Sequence, residues 1–111
     1  MIFSKILNLF RQDPNFGGAR HKDWRKESKE FKKGKVCAMT GTKKGLTVHH
    51  IKPVWLFPQL EMDKTNWIVL SGKKVYGVVP HLFLAHFGNY RRWNPEIVKM
   101  AEEWHNILKG E

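Results

Sequence analysis

Four of the six histidines in this chain fall in two tight groups: the neighbours His49 and His50, and His81 with His86 five residues later. Imidazole changes charge near neutral pH and is a common nitrogen ligand for divalent metals. On a strand, neighbouring side chains point to opposite faces, so His49 and His50 cannot both pack in one core. One ring can face a metal while the other faces a substrate. His81, at the start of a predicted helix, could bring a second imidazole to the same metal. Two imidazoles leave coordination positions open for water and phosphate oxygens, which a hydrolytic metal site requires. Partly exposed surface rings or hydrogen-bonded core rings account for the same spacing when these residues are taken alone.

Several elements must position these rings. Residues 1–11 carry Ile2, Phe3, Ile6, Leu7 and Phe10 at helical spacing, which predicts a short amphipathic helix ending near Asp13-Pro14. Asp23 is placed to cap a helix over 24–31, with Trp24, Ser28 and Phe31 on one face and Gly34 after its end. Residues 36–40 and 46–51 read as two strands of a hairpin around Gly41-Thr42-Lys43-Lys44-Gly45. Residues 52–65, with two prolines and Trp55, Leu56, Phe57 and Leu60, predict a loop packed by its own side chains. A third strand is expected over 67–70, and 75–79 is a further extended candidate. Pro80 suits the first turn of a helix over 81–87. Asn94-Pro95-Glu96 is a strong helix start, followed at helical spacing by Ile97, Met100, Ala101, Trp104, Ile107 and Leu108.

Composition narrows the class. The chain has 111 residues, 20 Lys and Arg against 10 Asp and Glu, and a formal charge of +10. That length fits one domain, able to bury roughly 65% of its extended surface. A hydrophobic fraction of 41% with five tryptophans excludes a disordered polycation. The single cysteine excludes a disulfide framework. No apolar run approaches the roughly 20 residues of a membrane helix, and residues 1–10 do not read as a signal peptide. The expectation is a basic protein of a reducing, cytoplasmic compartment whose natural partner is a polyanion.

The string Leu46-Thr47-Val48-His49-His50-Ile51-Lys52-Pro53, then Pro58-Gln59-Leu60-Glu61, Asn66-Trp67-Ile68-Val69-Leu70 and His81-Leu82-Phe83-Leu84-Ala85-His86, resembles the HNH endonucleases. Arg20 and Trp24 before it, with Phe87-Gly88-Asn89-Tyr90 and Trp93-Asn94-Pro95 after it, look like a phage-type branch of that family. The resemblance covers roughly residues 20–104. It implies an α+β fold: a ββα-metal (His-Me finger) core with additional N- and C-terminal helices. The whole of 1–111 would then be a single nuclease domain, with a helical extension over 1–35, the core over 36–88 and a C-terminal helix over 94–109. Carried over by position, His49 and His81 match the metal ligands. His50 matches the general base that deprotonates the attacking water, and Asn66 matches the amide that fixes the loop and aims that base. One divalent ion (Mg, Mn, Ni or Zn) is implied. His86 lies about 140° from His81 around an α-helix, so it reads as a phosphate contact or structural group before a third ligand.

The family's structural zinc, held elsewhere by two Cys-x-x-Cys pairs, is not expected here. Cys37 is the only thiolate, with Thr40, Ser71 and Pro80 at the other positions, and one thiolate cannot close a tetrahedral site. Cys37 then reads as a small buried apolar group. Basic residues form three clusters: Arg20 and Arg25 onward to Lys35, Lys43-Lys44 with Lys52, and Lys73-Lys74 with Arg91-Arg92. Each alone reads as a solvated face, and together around a phosphate-cleaving site they read as phosphate contacts. The leading expectation is therefore a metal-dependent endonuclease acting on DNA, in the host-cell cytoplasm if phage-encoded. A packaging protein or other protein partner and the oligomeric state are left open. The alternatives are a non-catalytic basic nucleic-acid-binding module and a structural metalloprotein built on His49 and His81.

Overall fold

The computed structural model describes residues 20–89 and 92–110; the helix expected over 1–11 and the side chain of Arg91 lie outside them. Within them the chain is a small α+β domain with a two-stranded antiparallel sheet and helices. Helix α1, Trp24–Lys32, half-buries Trp24, Glu27, Ser28 and Phe31, the i, i+3, i+4, i+7 stripe of an amphipathic helix, and exposes most of its charged positions. It ends where Gly34 takes φ +73°, a left-handed backbone that costs glycine little. Asp23 occupies the cap position, but its side chain makes no capping bond. Its own N–H donates instead to His21 Nδ1 at 3.0 Å.

Strand β1, Leu46–His50, pairs with β2, Trp67–Ser71, in the register Leu46↔Ser71 through His50↔Trp67. This corrects the expected hairpin, since residues 36–40 form no strand. Their backbone is committed to a turn: Cys37 N–H donates to Thr42 O at 2.9 Å and Gly41 N–H to Cys37 O at 2.8 Å. Threonine hydroxyls at 40 and 42 accept from the N–H groups of Thr42 and Lys44, a local pattern that competes with strand pairing. Only Ala38 N–H, donating to Val69 O at 2.9 Å, touches the outer edge of β2. The more apolar segment wins the central position, for β2 buries four of its five residues.

A two-stranded sheet is marginal by itself, and here both faces are covered. On one face α1 brings Trp24 and Phe31 edge-on to Trp67, at centroid distances of 5.0 and 5.2 Å. On the other side the chain builds its core from Cys37, Met39, Leu70, Leu84, Ala85, Ile97 and Ala101, with Cys37 buried as expected. Two helical elements supply four of these side chains: a short π-helical segment, His81–Ala85, and helix α2, Ile97–Gly110. Phe83 and Trp104 meet edge-on between them at 6.0 Å. Ile107, expected on the apolar stripe of α2, stays 54% exposed. Among the described residues no helix is long and apolar enough to cross a membrane.

Asn94 joins the two helical elements. It is 1% exposed; its Oδ1 accepts from Glu96 N–H at 2.9 Å and its Nδ2 donates to Leu84 O at 2.9 Å. Asn94→Ala should remove a helix cap and leave a buried carbonyl without its donor, a loss of about 2 kcal/mol. Thermal unfolding checks this: the variant should melt several degrees lower, and an unchanged melting temperature would contradict the assignment.

Candidate metal centre

Strand alternation separates the two neighbouring histidines. Thr47 and His49 look toward the π-helical segment, while His50 looks toward α1. Three imidazoles meet on the first face: ring centroids stand 5.2 Å apart for His49 and His81, 4.8 Å for His49 and His86, and 4.9 Å for His81 and His86. One nitrogen from each ring can be chosen so that all three lie within 4.8 Å of one another. The expected 140° separation of His81 and His86 does not hold, because it assumed α geometry. The segment is a π turn, in which residues five apart return to the same side, and the two Nε2 atoms lie 3.1 Å apart.

Hydrogen bonds behind the rings decide which nitrogens carry protons. The Leu70 carbonyl can only accept, so the Thr47 hydroxyl donates to it at 2.7 Å. The hydroxyl oxygen is then left to accept from His81 Nδ1–H at 2.9 Å. The carbonyl of Arg92 likewise requires His86 Nδ1–H as its donor, at 2.6 Å. A neutral imidazole has one N–H, so the facing Nε2 atoms of His81 and His86 are both unprotonated. His49 Nε2 is buried and makes no hydrogen bond. Two lone pairs directed toward one another, with the third ring close by, give the donor arrangement that a cation needs. Three close neutral histidines, with backbone and hydroxyl groups fixing two of them, could hold a metal ion.

Burial reinforces this by disfavouring the imidazolium forms. The His49 pKa is pushed well below the ordinary 6.5, mainly by burial and then by His86, His81 and His50. Burial, with His86 next, lowers His81 to about 4. Burial also lowers His86, against the opposing pull of the Arg92 carbonyl.

The second face is arranged differently. His50 Nε2 lies 2.8 Å from the Glu61 carbonyl, which also accepts the Trp67 indole N–H at 2.9 Å. His50 therefore carries its proton on Nε2, and Nδ1 is the basic nitrogen. Trp24 stacks on the ring at 4.5 Å, and His50 is 6% exposed. Burial holds its pKa below 6.5; the Glu61 carbonyl works against that, and the charge of Arg20 adds to it. Asn66, 6% exposed, closes the neighbouring loop: its Oδ1 accepts from Lys52 N–H at 2.9 Å and its Nδ2 donates to Lys52 O at 3.0 Å. Its own carbonyl accepts from Ile51 N–H at 2.7 Å. The chain leaving His50 is thus tied down at two consecutive residues.

The basic residues regroup. Arg20 acts electrostatically on His50, and the backbone of Arg92 anchors His86. Arg25 is exposed on α1, and Lys52 is exposed just beyond His50. Lys43 and Lys44 lie at the other end of β1, so they do not join Lys52. Thr47, two residues before His49 on the same strand face, is a supporting residue that strand alternation signals; Trp24 over His50 has no local signal. Compared with protein-family models, curated proteins and solved structures, the chain matches none.

The low imidazole pKa values set the acid stability of the metal-free protein. A ring with pKa 6.5 when unfolded and about 4 when folded binds its proton only in the unfolded chain between those limits. Stability therefore rises with pH across that window and is complete above 6.5. His81 alone accounts for about 3 kcal/mol, and His49, His50 and His86 act in the same direction. Urea unfolding in a chelator should show stability falling steadily from pH 6.5 toward 4. A flat profile over that range would contradict the buried neutral cluster.

Proposed function

We propose that this chain is a metal-dependent endonuclease of the HNH type, hydrolysing DNA phosphodiesters. β1, β2 and the segment His81–Ala85 read as its ββα-metal core, with α1 and α2 as additions. The observation that carries this reading is that His81 and His86 gather with His49 at one face of β1 while His50 lies on the other. It suits a site in which one group of rings binds a cation and a separate ring handles a proton. Both supports come from the residues themselves and from the resemblance of their order to that family.

The donor set is three imidazoles with no carboxylate, which favours Zn, Ni or a similar borderline ion over Mg. When bound, such an ion polarises a phosphate oxygen and stabilises charge on the leaving oxygen. The protein's own groups supply the rest. His50 Nδ1 takes the proton of the attacking water, with the Glu61 carbonyl holding the ring in the tautomer that leaves Nδ1 basic. Asn66 maintains the loop that sets the ring's angle. Burial lowers the His50 pKa from its ordinary 6.5, so the acid limb of activity is displaced below that value.

A second reading, a basic nucleic-acid-binding module without catalysis, is favoured by one observation: His50 is covered by Trp24 and is 6% exposed. Nicking of supercoiled plasmid with Zn, Ni, Mn or Mg separates the two. His50→Ala should lower the nicking rate at least about 100-fold while the protein still gains thermal stability from added metal. His86→Ala should lose both the nicking and the metal-dependent stabilisation. An absence of nicking with every metal, or an undiminished rate in His50→Ala, overturns the nuclease reading and leaves the binding module.

A further inference from the structure

Two basic turns meet at the end of the sheet remote from His50. Gly72 N–H donates to Gly45 O at 2.8 Å, and the Ser71 hydroxyl donates to Lys44 O at 2.7 Å. The stem of Lys73 lies so close over Gly45 that a Cβ there would collide with its Cγ. Lys43, Lys44, Lys73 and Lys74 are all exposed on this joined surface, although they fall in separate clusters along the sequence.

Beyond the lysines the chain makes a tight hairpin. Val75 N–H donates to Val78 O at 2.7 Å and Val78 N–H to Val75 O at 3.2 Å. Between them Tyr76 has φ +54° and Gly77 has φ +83°. Positive φ at both central positions defines the turn type that Asn-Gly satisfies best, so a tyrosine at the first position is costly to the backbone. That side chain packs on little: Tyr76 is 72% exposed. A strained backbone thus holds an aromatic ring in solvent, two residues beyond the Lys73-Lys74 pair that meets Lys43-Lys44.

We propose that Tyr76 is a base-stacking finger and that the four lysines grip the adjoining phosphates, so this end of the sheet binds unpaired nucleotides. An aromatic face accepts any base, and lysines follow the backbone without reading sequence. The proposal rests on the part of the proposed function in which the chain meets nucleic acid, and it holds whether or not the chain cuts it.

The test is fluorescence anisotropy in a chelator, where cleavage does not interfere, with a labelled single-stranded DNA and an abasic strand of equal length. The wild type should prefer the base-bearing strand by roughly tenfold or more. Tyr76→Asn should abolish that preference, leave affinity for the abasic strand unchanged, and melt at the same or a higher temperature, since Asn tolerates the turn. Tyr76→Trp should keep the preference. Replacing Lys73 and Lys74 together by Gln should weaken both strands equally and reduce the salt slope by about 1.4. A preference retained in Tyr76→Asn, or absent from the wild type, overturns the proposal. A preference that depends on Tyr76 in a chain that never nicks plasmid supports the finger and counts only against the nuclease reading.

Discussion

Two backbone carbonyls, those of Leu70 and Arg92, decide which nitrogens of His81 and His86 are protonated. Because a carbonyl only accepts, the Thr47 hydroxyl and the His86 Nδ1–H must donate to them, and Thr47 must in turn receive the Nδ1–H of His81. The candidate centre follows from that constraint: two Nε2 lone pairs face one another, with the buried His49 ring close to both. Lone pairs brought together in this way favour a positive charge between them. A proton could supply it, but burial opposes a charged imidazole. A metal cation supplies it without protonating any ring.

The two faces of β1 then divide the work. Adjacent residues on a strand point apart, so a His-His pair delivers one ring to the π-helical segment and the other to α1 with no special backbone. Each face has its own support. The first relies on hydrogen bonds behind the rings, the second on stacking by Trp24 and on the Glu61 carbonyl. The Asn66 bonds to Lys52 keep the strand end from rotating, which matters for a ring whose reactive nitrogen must point in one direction.

Much of this was legible in the residue pattern, and the failures have identifiable causes. α2 was readable because Asn94-Pro95 is a local start signal that needs no tertiary help. The opposite facing of His49 and His50 followed from strand periodicity alone. The partner of β1 was misread because a glycine-bounded turn suggests a hairpin, whereas Thr40 and Thr42 spend their hydroxyls on turn bonds and the more apolar β2 takes the place beside β1. His86 was assigned away from the cluster because α geometry was assumed; nothing local in Leu82-Phe83-Leu84-Ala85 announces a π turn. The Asp23 cap failed because its backbone, at φ −95° and ψ 3°, lies outside the extended region from which a capping carboxylate reaches the first-turn N–H groups. The joining of Lys43-Lys44 with Lys73-Lys74 required the β1–β2 pairing, which no local signal contains.

The most direct measurement of the central claim is long-range proton–nitrogen NMR of the imidazole rings, first without metal at neutral pH and then with one equivalent of zinc. His81 and His86 should each show a protonated Nδ1 and an unprotonated Nε2 before metal is added. On addition, the Nε2 resonances of His49, His81 and His86 should move together while the Nδ1–H groups of His81 and His86 persist. Protonated Nε2 in either ring of the metal-free protein, or zinc shifts confined to other residues, would contradict the account.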